Sequence, residues 1–424
     1  MDLHTLVQRL AFEVYKRDGY TDGEARVSPQ PFLLSEKQCE ELTAIALAFD
    51  RLIRRTVALY HAERRVRRCF QLPLYQRRMM SVEAERRRLG LTHGAGAGYG
   101  GIARYDIVPT GEGSWQVLEW NTDVCGGHPE CLGLAALVEE ECPEARNPNL
   151  FIDQLAQGIA TDGGLSTPTL GVLYATGYAE DAQVACVLRE LLRRRGIRVL
   201  IGAPMNLTVA RNGAAYLFGE RVRVIYNYFP TCWFDQLPRR WLQRFLGAYL
   251  QGGFELVTPL DQLIIQNKKI AAFWHAYRTW FTTAEQALIQ HYVPYTRCFE
   301  PRQVRLYRQE RETIVLKKIE GRQGEEVLVG RLMPPEEWAE VVAAIAAHEP
   351  GAWTVQDRVD IRPIQFPHPQ TGRREWMFPC LGVYVVQGAV GGFYTRLSRT
   401  LKTDYQALNV ATLVAAAGQA SLCG

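Results

Sequence analysis

From residue 35 onward, the first long stretch of the chain places apolar residues every three or four positions: SEKQCEELTAIALAFDRLIRRTVALYHAERRVRRCF. That spacing predicts an amphipathic helix, and Ser35 with Gln38 predicts a capping box at its start. The helical pattern occupies residues 1–95 and stops at GAGAGYGG, residues 94–101. The pattern then changes to period two. RYDIVPTGEGSWQVLEWNTD, residues 104–123, reads as two strands around a tight turn centred on Glu112-Gly113. HPECLGLAALVEE predicts a helix with Pro129 at its first position.

Further along, TLGVLYA, EDAQVACVLRELLRRRG and IRVLIGAP predict a strand, a helix ending at Gly196 and a second strand, a β-α-β unit. No GxGxxG follows its first strand, so the unit reads as scaffold or substrate platform and not as a dinucleotide site. LTVARNGAAYLFGERVRVIYNYF has turn pairs at Asn212-Gly213 and Gly219-Glu220 and predicts a small antiparallel ribbon. TIVLKKIEGRQGEEVLVG predicts strand, glycine loop, strand, and PPEEWAEVVAAIAAH a helix. WTVQDRV predicts a short strand, and WMFPCLGVYVVQGAVGGFYTRLS two strands about a glycine turn. The tail YQALNVATLVAAAGQASL predicts a final packed helix.

Composition narrows the classes. The chain has 424 residues, 47% hydrophobic and 22% charged, enough for two or three domains' worth of core. It has no apolar run long enough to span a membrane and no signal-peptide pattern at its start, so a cytoplasmic protein without membrane partners is expected. Ten cysteines are scattered without CxxC pairs, which predicts reduced thiols and neither a zinc site nor a disulfide framework. The net charge is +4, with arginines clustered in RLIRRTV, ERRVRR and ERRRLG. These runs sit in helical patterns rich in Glu and Leu and read as solvated faces with ion pairs; a nucleic-acid surface is the lesser reading.

The hairpin carries the chemistry. With the turn at Glu112-Gly113, Asp106 falls opposite Glu119 and Arg104 opposite Asn121, all on one face. Ile107, Leu118 and Trp120 fall on the other face, free to pack. Two opposed carboxylates at ~5 Å and an effective dielectric of about 20 repel by roughly 3 kcal/mol. A divalent cation between them would remove that cost, and two acids plus the Asn121 amide oxygen form a hard oxygen set suited to magnesium. The plainer reading is a solvated hairpin whose acids Arg104 neutralises.

RYD followed by LEWNTD resembles the metal-binding segment of the glutathionylspermidine synthase family. Arg104, Asp106, Glu119, Asn121 and Asp123 stand at the matching positions, and the loop VCGGHPE, with His128 and Glu130, continues the match. IIQNKKIAAFW resembles the family's Asn-Lys segment at Asn267 and Lys268. VLKKIEGRQGEEV resembles its Lys-Pro-x-x-Gly-Arg-x-Gly motif at Lys317, Gly321, Arg322 and Gly324. Lys318 stands where proline is usual, which leaves open which of Lys317 and Lys318 meets phosphate. TVQDRV resembles the adenine-side hinge around Gln356, and GVYVVQGAVGGFYTRLS the closing strands, with Arg396.

The resemblance implies an ATP-grasp fold of α+β or α/β class with permuted motif order, the metal ligands preceding the lysines. It implies four regions: a helical N-terminal region over 1–95, the metal hairpin and substrate loop over 96–169, a small β-α-β pre-ATP-grasp domain over 170–234, and the lysine, glycine-loop, hinge and closing part over 235–424. It further implies an ATP-dependent carbon–nitrogen ligase, of the synthetase type only. Asp106, Glu119 and Asn121 would hold one or two magnesium ions. Lys268 and Lys317 or Lys318, with Gly321, Arg322 and Gly324, would hold ATP phosphates, and Gln356 the adenine. Arg104 and Arg396 would face the reacting centre. Asp123, Cys125, His128 and Glu130 would contact substrate.

The partners implied are a small-molecule or peptide carboxylate and an amine; acyl transfer to a carrier-protein thiol is an alternative. A non-catalytic nucleotide- or nucleic-acid-binding protein is another. Glutathione and spermidine themselves are not required. A polyamine would call for clustered acids, and after Arg396 the sequence has only Asp404. Cys125 and His128 could also be a nucleophile and its base, although a substrate loop explains them with fewer assumptions. The helix starting near Pro129 would present free N–H groups to a carboxylate.

Overall fold

A computed structural model describes residues 1–91, 101–161, 168–321 and 326–416. Residues 94–100 of the glycine run before the hairpin, and Arg322 and Gly324 of the later glycine loop, lie outside them. The expected mixed α/β architecture is present. Among the described residues no helix is long and apolar enough to cross a membrane.

The central element is an eight-stranded sheet. Its main path runs Val27–Leu34, Leu408–Ala415, Ala389–Ser398, Arg374–Val386, Ile102–Pro109, Trp115–Asn121. The first pair is parallel and the others antiparallel. One face of this sheet is packed by the helices Glu36–Ala62, Lys269–Ala276 and Thr283–Tyr292. Phe49, Trp120 and Trp274 meet there, with Trp120 and Trp274 edge-to-face at 4.7 Å. Ser35 and Gln38 form the expected capping box at the start of the long helix.

Three smaller sheets surround this one. A parallel four-stranded sheet runs Glu255–Leu256, Val224–Tyr228, Thr169–Tyr174, Arg198–Gly202, with the helix Ala179–Arg193 connecting its last two strands. It contains the β-α-β unit read from the sequence. The ribbon Glu220–Val222, Ala215–Leu217, Leu207–Val209 follows as expected. An antiparallel four-stranded sheet runs Thr296–Cys298, Trp353–Asp357, Ile314–Lys318, Val327–Val329.

Two elements differ from expectation. Of the tail predicted as a helix, Leu408–Ala415 is a strand inserted between Val27–Leu34 and Ala389–Ser398, and residues 417–422 lie outside the described ones. A strand buried on both faces reads as a near-continuous apolar run, and LNVATLVA is indistinguishable from a packed helix by pattern alone. The N-terminal region is not only helical: VSPQPFLL is an edge strand of the main sheet. Its two prolines suit an edge, where a missing N–H costs no ladder bond.

The hairpin also departs in detail. Its loop closes from Thr110 to Ser114, with Gly113 at φ +78°, one residue out of step with the assumed two-residue turn. An irregularity between Asp106 and Ile107 corrects the register, so Asp106 still pairs with Glu119 and Arg104 with Asn121. The extra residue is Leu118. It turns from the expected packing face toward the cavity described next.

Candidate functional site

A cavity of about 520 Å3 opens on the face of the main sheet opposite the helical core. Strand alternation divides Ile102–Pro109 between the two sides. Ala103, Tyr105 and Ile107 enter the core, while Arg104 and Asp106 face the cavity. Gly382, the ladder partner of Asp106, makes room for this: a Cβ there would lie 2.8 Å from Arg104 Cδ.

Asp106 is buried and doubly paired. Its Oδ1 accepts from Arg104 Nε at 2.8 Å. Its Oδ2 accepts from Arg104 at 3.1 Å, Asn121 Nδ2 at 3.1 Å and Arg396 at 2.7 Å. Burial alone would raise its pKa, but the two guanidiniums overcome this and bring it down to about 2. The Arg104 guanidinium also donates to Gly126 O at 2.7 Å.

Glu119 stands across the ladder and belongs to a different group. Lys268 Nζ lies 3.3 Å from its Oε1 and donates to Gly321 O at 2.6 Å. Lys317 projects from the neighbouring antiparallel sheet, with its Nζ donating to Leu118 O at 3.0 Å. Burial pushes its pKa down to about 8, with Glu119 acting in the opposite direction. Gln356, from the same sheet, lines the cavity and donates to Thr296 Oγ1.

The expected repulsion between bare opposed acids is therefore absent. Each carboxylate has cationic partners of its own, as the plainer reading of the hairpin anticipated for Arg104. Among the described residues no three His, Cys, Asp or Glu side chains gather as a metal cluster. The chemistry of the donors nevertheless suits magnesium. Asp106, Glu119 and Asn121 are oxygen donors on one cavity wall, and magnesium takes few protein ligands beside phosphate and water.

The structure separates the adjacent lysines. Lys317 faces the cavity. Lys318, one residue on, points to the opposite face of its strand and pairs with Glu326 at 2.9 Å and Glu349 at 3.4 Å. It is not part of the cavity wall. Gly321 is buried beside Lys268.

The loop after the hairpin divides in the same way. Asp123 and Glu130 line the cavity, but both carboxylates are engaged. Asp123 accepts from Thr231 N and Oγ1, each at 3.0 Å in its shortest contact. Glu130 accepts from Lys16 Nζ at 2.6 Å. Cys125 and His128, expected to touch substrate, do not line the cavity. The Cys125 thiol is pushed up to about 12 by burial. His128 is fully buried among Phe151, Tyr226, Tyr228 and Tyr384, which holds its pKa down near 3 by desolvation, assisted by Arg104. A high thiol pKa beside a neutral, enclosed imidazole is the opposite of an activated nucleophile and base.

Several cavity residues had no motif to announce them. Gln266 Oε1 accepts the backbone N–H groups of Thr122 and Asp123, tying the hairpin end to the segment before Lys268. Lys16, Asp18 and Arg26 enter from the N-terminal region, and Tyr394 and Asp404 from the closing strands and the loop beyond. The only sequence signal at the N-terminal group was a lysine in a lysine-poor stretch.

No family model matches this chain, and no curated protein matches it. Solved structures do resemble it. A candidate gamma-glutamylcysteine synthetase from Methylobacillus flagellatus KT is 14% identical with a TM-score of 0.46, over 90% of this chain and 87% of that one. The D-cycloserine synthetase DcsG is 18% identical with a TM-score of 0.27, over 45% and 58%. A RimK-domain ATP-grasp protein from Sphaerobacter thermophilus is 15% identical with a TM-score of 0.29, over 57% and 89%.

Proposed function

We propose that this protein is an ATP-dependent ligase of ATP-grasp type that activates a carboxylate as an acyl phosphate and joins it to an amine. One observation carries the reading. Arg104, Asp106, Glu119, Asn121, Lys317, Gln356 and Arg396, singled out from segments scattered along the chain, line one cavity. The hairpin, the neighbouring sheet and the closing strands each supply part of the wall.

Phosphoryl transfer asks a protein mainly for positioning and charge compensation. Lys317 and Lys268 would meet phosphate oxygens, and Gln356 would read the adenine edge. Magnesium, when bound, would supply charge to offset that of phosphate. Glu119 and Asn121 would hold it together with Asp106, whose Oδ2 would give up Arg396 to do so. Arg396 so released, and Arg104 beside it, would face the oxyanion that develops when an amine attacks the acyl group. Fixed cationic donors at such a position contribute on the order of 3 kcal/mol each. The Leu118 carbonyl holds Lys317 at the boundary between the two groups until phosphate takes its place.

The test is ADP release from magnesium–ATP when candidate carboxylates and amines are supplied. The reading requires release that depends on both substrates and disappears in Glu119→Ala. Release that survives this substitution rejects the metal assignment, and nucleotide that neither binds nor turns over rejects the ligase.

A further inference from the structure

The arginine runs of the N-terminal region divide in two. Arg86, Arg87 and Arg88 take the ion pairs expected of such runs, with Glu255, Asp261 and Glu85. The earlier runs do not. Among the described residues no ion pair engages Arg64, Arg65, Arg67, Arg68, Arg77 or Arg78. Residues 51–81 contain nine arginines and no acid but Glu63, whereas the whole chain has a net charge of only +4. The positive charge is therefore concentrated here, and the rest of the chain is net negative.

Four of these arginines share one cleft. Its volume is about 870 Å3, and no acidic side chain lines it. Arg64, Arg67 and Arg68 come from the helix Arg64–Phe70 and Arg77 from the helix Leu74–Arg88, beside Tyr60 and His61 at the end of the helix Glu36–Ala62. Arg67 is fixed in place. Its guanidinium donates to the Tyr60 and His61 carbonyls at 3.1 and 2.8 Å, acceptors near the C-terminal end of the long helix. Burial raises the pKa of the Tyr60 hydroxyl while Arg67 and Arg77 oppose it, so guanidiniums from two helices approach the same hydroxyl. His61 Nε2 is enclosed and has no hydrogen-bond partner among the described residues.

The surroundings select the ligand. Like charges gathered without a counter-ion repel one another, and an anion among them relieves this. Guanidinium pairs with carboxylate and phosphate alike. A polypeptide brings one charge on each acidic side chain, spread along its length. A polyphosphate brings charge and several acceptor oxygens on every phosphorus, and four guanidiniums opening on one space match that density. The volume falls in the range of small-ligand sites. The Tyr60 ring is buried and offers no face on which a nucleic-acid base could stack.

We propose that this cleft binds a small polyphosphate ligand, an inorganic triphosphate or the triphosphate of a nucleotide. It is separate from the proposed ligase cavity, with which it shares no lining residue.

Calorimetry on the full chain, without magnesium, tests it with sodium tripolyphosphate, a short oligouridylate and an oligoglutamate as probes. Wild type is compared with Arg64→Gln/Arg68→Gln, Arg77→Gln and Lys317→Met. A charge-matched control is Arg51→Gln/Arg55→Gln, whose two exposed arginines lie outside the cleft. Arg64, Arg68 and Arg77 are exposed as well, so unfolding midpoints should stay at the wild-type value. The proposal requires tripolyphosphate to bind wild type and Lys317→Met alike, and both cleft variants about ten-fold or more weakly. The control should lose no more than about two-fold. No binding of tripolyphosphate to wild type overturns the proposal, as does an equal loss in the control, the mark of general surface charge. Loss in Lys317→Met returns the binding to the ligase cavity and also overturns it. Oligouridylate held more tightly than tripolyphosphate assigns the cleft to nucleic acid, and oligoglutamate held as tightly assigns it to an acidic protein; either result overturns the small ligand.

Discussion

The two carboxylates of the hairpin share a rung yet live in different electrostatic settings. Asp106 is sealed between two guanidiniums that hold their charge at any physiological pH, and its own pKa is down to about 2. Glu119 is more exposed and leans on lysines, one of which has its pKa down to about 8. The arginine side is a closed ion-pair cluster within one sheet, its charges fixed against pH. The lysine side is assembled across two sheets and can change its protonation. Proximity of like charges therefore says little until the partners of each are known. The opposed acids are tolerated because the fold supplies each with counter-charges, and a metal held by Asp106 would take the place of one of them, Arg396.

The largest effect should come from breaking the closed side. Asp106→Ala leaves two buried arginines without their carboxylate and should cost about 3–5 kcal/mol in urea unfolding. Asp106→Asn, which keeps the shape, should recover little of it. The titratable side should lose function before stability. Lys317→Met should slow ADP release about 100-fold, near 3 kcal/mol in transition-state stabilisation, while the unfolding midpoint stays close to wild type. The same lysine predicts a pH response. Its cation is complete well below pH 8 and is lost as pH rises through about 8, so magnesium–ADP affinity should fall in that window. An unchanged affinity up to pH 9.5 would place Lys317 away from phosphate.

A subtler substitution tests how Arg104 is seated. Gly382→Ala puts a methyl 2.8 Å from Arg104 Cδ and should destabilise by about 1–3 kcal/mol, with ADP affinity affected less than ligation. The smallest effect belongs to Lys318→Ala. This lysine is 30% exposed in an ion-pair group outside the cavity, so stability should change by less than about 1 kcal/mol and nucleotide affinity not at all. A loss of binding there would move the proposed phosphate contact from Lys317 to Lys318.

The local patterns were largely legible. The capping box at Ser35, the β-α-β unit, the ribbon and the pairing of Asp106 with Glu119 follow from periodicity and turn chemistry. The hairpin shows the limit of such reasoning. Its pairing was right while the turn was off by one, because an extra residue at Leu118 compensated. No pattern distinguishes a hairpin with two offsetting irregularities from one with none. The strand at 408–415 was hidden because burial on both faces erases alternation. Arg26, Lys16 and Gln266 were hidden for another reason: their importance lies in what the tertiary fold brings near them, and their neighbours in sequence carry no trace of it. His128 failed in the reverse sense. It sits between loop neighbours that reach the cavity, Gly127 and Pro129, but Tyr226, Tyr228 and Tyr384 from two sheets and Phe151 from a helix close around it.

The hydrogen bond from the Asn409 side chain to the Arg26 carbonyl joins groups 383 residues apart. Its strand also separates Val27–Leu34 from the rest of the sheet. During synthesis the edge strand Val27–Leu34 has no neighbour to join until residues 408–415 leave the ribosome, so it can lock to the closing strands only once that distant segment has been made. Contacts of such separation fold slowly. The hairpin at 102–121 can form long before. A nascent chain stalled before residue 408 should therefore hold its Asp106–Glu119 rung in place and yet have an N-terminal segment open to protease.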